Sequence, residues 1–545
     1  MKIRSDILRI YQSLHTWVGI TTGMLLFIGF FAGALTMFKQ PLDRWISPPA
    51  SHGASAPVAM NPAQLDELVR AMLQQRPEAR QEFTLHLTQQ ENIAAPLSWT
   101  GSESGHELDL SAQRWLGTLN EVGQFTARAE TPSLLAELID MLHRTAGIPG
   151  TLGDEYLGTY LMGIAGAMYF LALVSGVILL LPTLVKDFFA LRPGKNRKRF
   201  WLDAHNIIGI LSLPFHVLIS ITVVVFAFHD LFYGSLSRVV YGDTPMFTRP
   251  AVHTSETHNV ANMLPVSALI EKLQQAAPDA RLQEILFMGL EGPRPVARAA
   301  LLSPEYLVQG PQAAYVLIQP YTGQVIDTSM LPGQGNVWSA LTIPFFSLHF
   351  GSFGGDLMRW VYFVFGLSGA FLFYSGNLLW VEKRRKNQQA KQQSNQQANQ
   401  PAVIQSRATR WMAAATVGVC LGAIAAVCFT MVAGKLMHAW VSHINHAYLA
   451  VYYSVFVAAL SWGFWRGAAR AAVDLLAVCS IAALAIPLTS LMAWLLPGSG
   501  VWMHLSLASL SVDLVGFVAA LMFAWACWLT ARRVRHGPKD SVWAA

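Results

Sequence analysis

Histidines in unusual places are the side chains of this sequence with chemistry to offer. In the apolar stretch Phe200–Asp230, FWLDAHNIIGILSLPFHVLISITVVVFAFHD, His205 stands near the start, His216 about three helical turns further on and His229 at the far end. Polar side chains are costly in hydrocarbon, so inside a membrane span they face a bundle interior, where they pair, carry protons or bind something. His15 and His205 both begin outgoing apolar runs, and each is followed four residues later by a glycine, Gly19 and Gly209. Residues at i and i+4 share a helix face, so the glycine leaves room beside the imidazole for a flat, bulky group. His143 and His349 share another setting, LHRTAG and LHFGSFGG, each leading into an incoming run with a Ser-Gly pair, Ser175-Gly176 and Ser375-Gly376.

Two histidines at one depth on different helices are what bis-imidazole ligation of a haem iron needs, with apolar walls and small residues to admit the macrocycle. Matched depth pairs His15 with His205 near the inner face and His143 with His349 near the outer face, all four as axial ligands. Two cofactors stacked across a bilayer make a path for electrons. No CxxCH occurs, so two non-covalent haem b groups are expected. The bland alternative is four interfacial histidines, solvated at helix ends. His216, behind Pro214, is read first as a satisfied core residue, with ligation of the outer haem as the main rival and proton carriage as a third reading. His229 reads as interfacial, and His52, His86, His106, His253 and His258 as surface residues. His438, His443 and His446 in MHAWVSHINHAY, with His504, are read as a solvated loop ahead of a transition-metal site. No HExxH and no GxGxxG after a strand occur, which argues against a zinc hydrolase and against a built-in nicotinamide or flavin domain. The electron donor is then outside the chain, a quinol or a separate reductase.

The elements that position these residues are membrane spans. Of 545 residues 53% are hydrophobic and 13% charged, with a mean hydropathy of +0.37, the composition of a multi-span protein in a lipid bilayer. The net charge of +6 comes from clusters beside apolar runs, Lys186–Arg199, Lys383–Lys386 and Arg532–Arg535. That is the positive-inside pattern, and no nucleic-acid partner is implied. All four cysteines lie within apolar runs, without a CxxC.

In order, residues 1–38 form span 1, read as a retained anchor, and 39–140 a first outer domain. Within that domain Pro62–Gln75 is an expected helix capped by Asn61, and Glu82–Thr88 and Glu107–Leu110 are expected strands. Residues 141–230 hold spans 2 and 3, and 231–343 a second outer domain with a helix at Pro265–Ala276, a strand at Ala314–Gln319 and a turn at Pro320–Gly323. The repeated order of helix then strands points to internal duplication. Span 4 closes the core at 344–386. A Gln/Asn-rich cytoplasmic linker, 387–406, leads to a four-span module at 407–545. The fold class expected is a membrane all-α bundle of about eight spans, with a four-span haem-binding core, two small α+β outer domains and both termini cytoplasmic.

The run LHTWVG, an outer domain, LHR, WLDAHNIIG, a second outer domain with PYTGQVID, and LHFG followed by YSGNLLW resembles the PepSY-associated transmembrane family of iron-regulated membrane proteins over about residues 5–386. The resemblance implies two periplasmic PepSY-like domains, a bacterial inner membrane, haem ligation by His15, His143, His205 and His349, and reduction of ferric siderophores. The rival functions are a PepSY-type peptide-binding sensor without redox activity and a haem or siderophore transporter. Arg144 and Arg359 are candidate partners for haem propionates on charge and position. No catalytic side chain is expected.

Overall fold

The computed structural model describes the whole chain except residues 1–3, 50–59, 89–92, 94, 101–108, 112, 121, 154, 189, 193–196, 243–256, 304–312, 332, 336, 395–404, 539–540 and 545. It divides into two compact units. The membrane unit comprises Met1–Leu42, Leu135–His229 and Val361–Ala545, and the sheet unit Asp43–Leu134 and Asp230–Trp360.

Along the chain, α1 (Ser5–Thr36) and the short α2 (Lys39–Ile46) precede α3 (Pro62–Gln75) and the strands β1 (Glu82–His86), β2 (Leu97–Thr100), β3 (Arg114–Leu119) and β4 (Phe125–Glu130). Next come α4 (Leu135–Thr145), the two-residue strands β5 (Thr151–Leu152) and β6 (Glu155–Tyr156), α5 (Leu157–Leu180) and the one-turn α6 (Leu184–Asp187). Then follow α7 (Arg197–Leu211), α8 (Leu213–Ala227) and α9 (His229–Leu236). The second half of the sheet unit supplies α10 (Val266–Ala276), β7 (Arg281–Met288), β8 (Val296–Leu302), β9 (Ala314–Ile318), β10 (Val325–Asp327) and α11 (Val337–Phe350). Five long helices finish the chain: α12 (Gly355–Ser394), α13 (Arg407–Met437), α14 (Ile444–Arg466), α15 (Ala468–Leu495) and α16 (Leu507–His536).

Among the described residues seven helices are long and apolar enough to cross a membrane, and α7 with α8 makes an eighth if that bent pair counts as one span. The protein is a multi-pass membrane protein. The stretch Phe200–Asp230 is not the single straight span its hydropathy suggested, because its two helices meet at 68°. Pro214 lacks an N–H and its ring clashes with the carbonyl one turn back, so the helix stops at Ser212. The Ser212 N–H at 3.0 Å and the Ser212 hydroxyl at 2.6 Å both donate to the Ile208 carbonyl and close the last turn of α7. A second difference is that α12 runs past its basic stop to Ser394, so the first residues of the Gln/Asn tract are helical. The four-span module is not a detached domain. Asn377 on α12 donates to the Thr416 hydroxyl on α13 at 3.1 Å, and the Tyr453 hydroxyl donates to the Gly147 carbonyl at 2.9 Å.

In the sheet unit the two outer regions build one eight-stranded antiparallel sheet, ordered β10-β9-β8-β7-β1-β2-β3-β4, rather than a sheet each. The halves join where β1 pairs with β7, in a register that sets Phe83 opposite Phe287 with ring centroids 4.5 Å apart. Asn61 caps α3 as expected, with a reciprocal bond to Gln64. Asp66 of α3 in turn caps α10, accepting from the Ser267 N–H at 2.9 Å and its hydroxyl at 2.6 Å. Helix, then four-strand meander, occurs in both halves, as the duplication required. The strand expected at Glu107–Leu110 falls largely outside the described residues, and the described part, Asp109 and Leu110, is not strand.

Candidate functional site

The structure brings together the inner pair that depth alone suggested. His15 on α1 and His205 on α7 have ring centroids 6.4 Å apart, with the ring planes perpendicular. Two imidazoles sharing one metal atom would have about that separation: two metal–nitrogen bonds of about 2 Å, plus roughly 1 Å from each nitrogen to its ring centre. Each ring is held by its Nδ1. His15 Nδ1–H donates to the Ala172 carbonyl of α5 at 2.8 Å, with the Ser175 hydroxyl 3.4 Å away. His205 Nδ1 lies 3.0 Å from the Ser375 hydroxyl of α12. That hydroxyl donates to the Leu372 carbonyl at 3.2 Å, so toward His205 it accepts. Both rings therefore carry their proton on Nδ1 and their lone pair on Nε2, the tautomer that a carbonyl or hydroxyl partner imposes on metal-ligating histidines.

The glycines around the pair do more than the i+4 pattern implied. A Cβ at Gly19 would meet no described atom within 4 Å, so open space adjoins the helix there. The glycines that touch the imidazoles belong to the Ser-Gly pairs: a Cβ at Gly176 would stand 3.2 Å from His15 Cε1, and one at Gly376 3.8 Å from His205 Cε1. Ser175-Gly176 and Ser375-Gly376, associated in sequence with His143 and His349, thus serve His15 and His205. The buried Asp203, 2% exposed, is clamped by Arg192 at 2.8 Å and Arg199 at 3.2 Å and fixes the start of α7.

Deeper in the membrane unit, His216 on α8 is fully buried. It sits among Phe30, Tyr169 and Phe215, with ring centroids 5.5, 6.0 and 5.3 Å away. Neither of its ring nitrogens has a hydrogen-bond partner among the described residues, and neither does the buried Tyr169 hydroxyl beside it. The expectation of a satisfied core histidine fails on this point, since an orphaned buried imidazole costs free energy unless something occupies its nitrogens. The only sequence signal for Tyr169 is a hydroxyl inside the apolar run of α5.

His143, on α4, also has its Nδ1 fixed, donating to the Gly29 carbonyl of α1 at 2.8 Å. A Cβ at Gly33 would come within 2.6 Å of that ring, so only glycine admits it. His216 and His143 therefore both border α1 around residues 29–33, through Phe30 and through Gly29 and Gly33. His349 lies on α11 in the sheet unit, 5.4 Å from the ring of Phe350. Arg144 stands 3.7 Å from Asp140, and Arg359 3.3 Å from Asp356. In the four-span module His443 and His446 have centroids 5.8 Å apart while His438 packs on Trp502 at 5.1 Å, and no group of three metal-ligating side chains forms among the described residues. A buried chain missed in the sequence is Lys435 of α13, which donates to Ser490 of α15 at 3.0 Å, the serine donating in turn to Asp513 of α16 at 3.1 Å.

None of the curated proteins matches this chain. The family model described as the PepSY-associated TM region matches residues 12–383, a stretch that includes all five histidines of α1, α4, α7, α8 and α11 considered above. With about two thirds of its length so matched, the chain belongs to the PepSY-associated transmembrane family.

Proposed function

We propose that this protein is a di-haem b reductase of a bacterial inner membrane, carrying electrons outward to ferric siderophores in the periplasm. The observation that supports this reading most is the inner pair: two imidazoles from different helices, 6.4 Å apart, both anchored through Nδ1, with open space beside Gly19. Bound haem iron would supply one-electron transfer at neutral pH, tuned by its axial ligands and its burial. His15 and His205 hold the inner group in this reading, and Ala172 and Ser375 orient their rings. Candidate ligands for a second group within the membrane unit are His143 and His216; the family pattern implies a ligand role for His349 as well. The orphaned nitrogens of His216 favour ligation over a packing role. The sheet unit is the PepSY-like part and faces the periplasm, and both termini are cytoplasmic. A quinol or a separate reductase is the donor.

Fe(III) held by hard oxygen donors is released on reduction because Fe(II), softer and less charged, is held more weakly by them. The test is anaerobic. Protein reduced with dithionite and freed of excess reductant is mixed with a ferric trihydroxamate, while ferrozine reports free Fe(II). The expected result is reoxidation of the protein with one Fe(II) captured per electron, abolished in His205→Ala. A protein that takes up no electrons, or stays reduced in the presence of the chelate, would overturn the proposal. A colourless protein would favour the sensor reading instead.

A further inference from the structure

A cavity of about 370 Å³ opens at the basic end of the membrane unit, within the size range of small-molecule sites. Its charged lining is lopsided. Among the described residues, Lys198 of α7, Arg385 and Lys386 of α12, and Arg532 and Arg533 of α16 contribute five cations, with His536 beside them, against the one carboxylate of Glu382. That carboxylate is already engaged by Arg385 at 2.8 Å. Lys198 lies close enough to Lys386 and Lys383 to be repelled by both. The Arg532 guanidinium stacks over Trp528 at 4.7 Å, and it pairs with no carboxylate among the described residues.

Basic residues at this end of a span are expected from topology alone, but topology puts them in water-facing loops. Here they also converge from three helices on one open cavity, at which Lys386 and Arg532 remain exposed. The C-terminal tail folds back over it, held by Gln405: its amide nitrogen donates to the Val381 carbonyl at 3.1 Å and its carbonyl accepts from the Val542 N–H at 2.9 Å. This seats Trp543, 6% exposed, in the cavity wall, where it faces the same space as Trp201. Concentrated positive charge with forked guanidinium donors suits a phosphate, and flat indole surfaces suit the apolar or planar part of a molecule that carries one. We propose that this cavity binds a phosphate-bearing ligand, either an acidic phospholipid headgroup or a soluble nucleotide. Trp201 is one helical turn from His205, so the ligand lies beside the inner histidine pair. The cavity also gives the four-span module, which the family match does not cover, a share in a site.

The test uses the full chain, in phosphatidylcholine nanodiscs for the soluble pair and in equimolar phosphatidylcholine and phosphatidylglycerol nanodiscs for the lipid pair. Adenosine monophosphate and adenosine are titrated in parallel, and native mass spectra compare retention of phosphatidylglycerol with that of phosphatidylcholine. The expected result is at least a tenfold preference for the anionic member of one pair, adenosine monophosphate over adenosine or phosphatidylglycerol over phosphatidylcholine, and which pair responds identifies the source. Lys386 and Arg532 are both solvent-exposed, so K386Q/R532Q is expected to keep the fold and to lower that preference at least tenfold. E382Q, which removes the lone carboxylate, should strengthen it. No preference in either pair would overturn the proposal, as would a preference that survives K386Q/R532Q or weakens in E382Q. Neither readout depends on haem, so the result stands apart from the electron-transfer reading.

Discussion

At the scale of single residues, the account rests on the imidazoles and on what grips them. The histidines and their neighbouring glycines were legible because they stand out from an apolar background. Their partners were not: Ser175 and Ser375 are visible in sequence, but a sequence gives only neighbours along one span, and these serines act across to α1 and α7. Removing the acceptor for His205 in Ser375→Ala should loosen the inner haem by roughly ten- to a hundredfold, the usual effect of a lost partner behind a metal ligand. Haem retention during dialysis against apomyoglobin measures this, and wild-type retention in the variant would count against the role. The cage around His216 is tight, since a Cβ at Gly369 would reach within 3.0 Å of its Cε1. Gly369→Ala should therefore cost about 1–3 kcal/mol through overpacking, read as a lowered thermal midpoint.

Among the elements, the helices were readable and their breaks were not. Capping by Asn61 and the length of α3 follow from local rules, and the structure matches them. The 68° bend in Phe200–Asp230 escaped because a hydropathy window sums apolarity without direction, although Pro214 signalled it. The short α2 after α1 is held by Lys39, which lies 2.7 Å from Glu137 and 3.2 Å from Asp140 of α4. Burial pushes the Lys39 ammonium down, but the two carboxylates outweigh it and its pKa is raised. A raised lysine pKa stabilises fully below the ordinary value of about 10.4, and the contribution is lost as pH climbs through the folded value. Lys39→Met should thus lower stability at neutral pH by about 1 kcal/mol. It should also flatten the alkaline loss above roughly pH 10. Thermal unfolding at stepped pH values checks both, and parallel curves for the two proteins would contradict the assignment.

At the level of the whole molecule, the duplication was legible in repeated element order, while the joining of its halves was not. Pairing of β1 with β7 bridges some two hundred residues, and no local pattern announces which strand edges will meet. Phe287→Ala, at the seam, should cost about 3–5 kcal/mol. It should also raise hydrogen exchange in β1–β4 as much as in β7–β10, whereas a change confined to the second half would mean two separately folding domains. The membrane unit likewise joins residues 1–42 to residues 135–229, which is how His15 comes to face His205, nearly two hundred positions away. The most direct test of that meeting is the haem count, by pyridine haemochrome together with the dithionite-reduced-minus-oxidised optical spectrum, for wild type and His205→Ala. Two low-spin b-type haems per chain in the wild type, falling to one in the variant, is the predicted result. A colourless wild type, or a variant that keeps both haems, would contradict the assignment of His15 and His205 as a ligand pair.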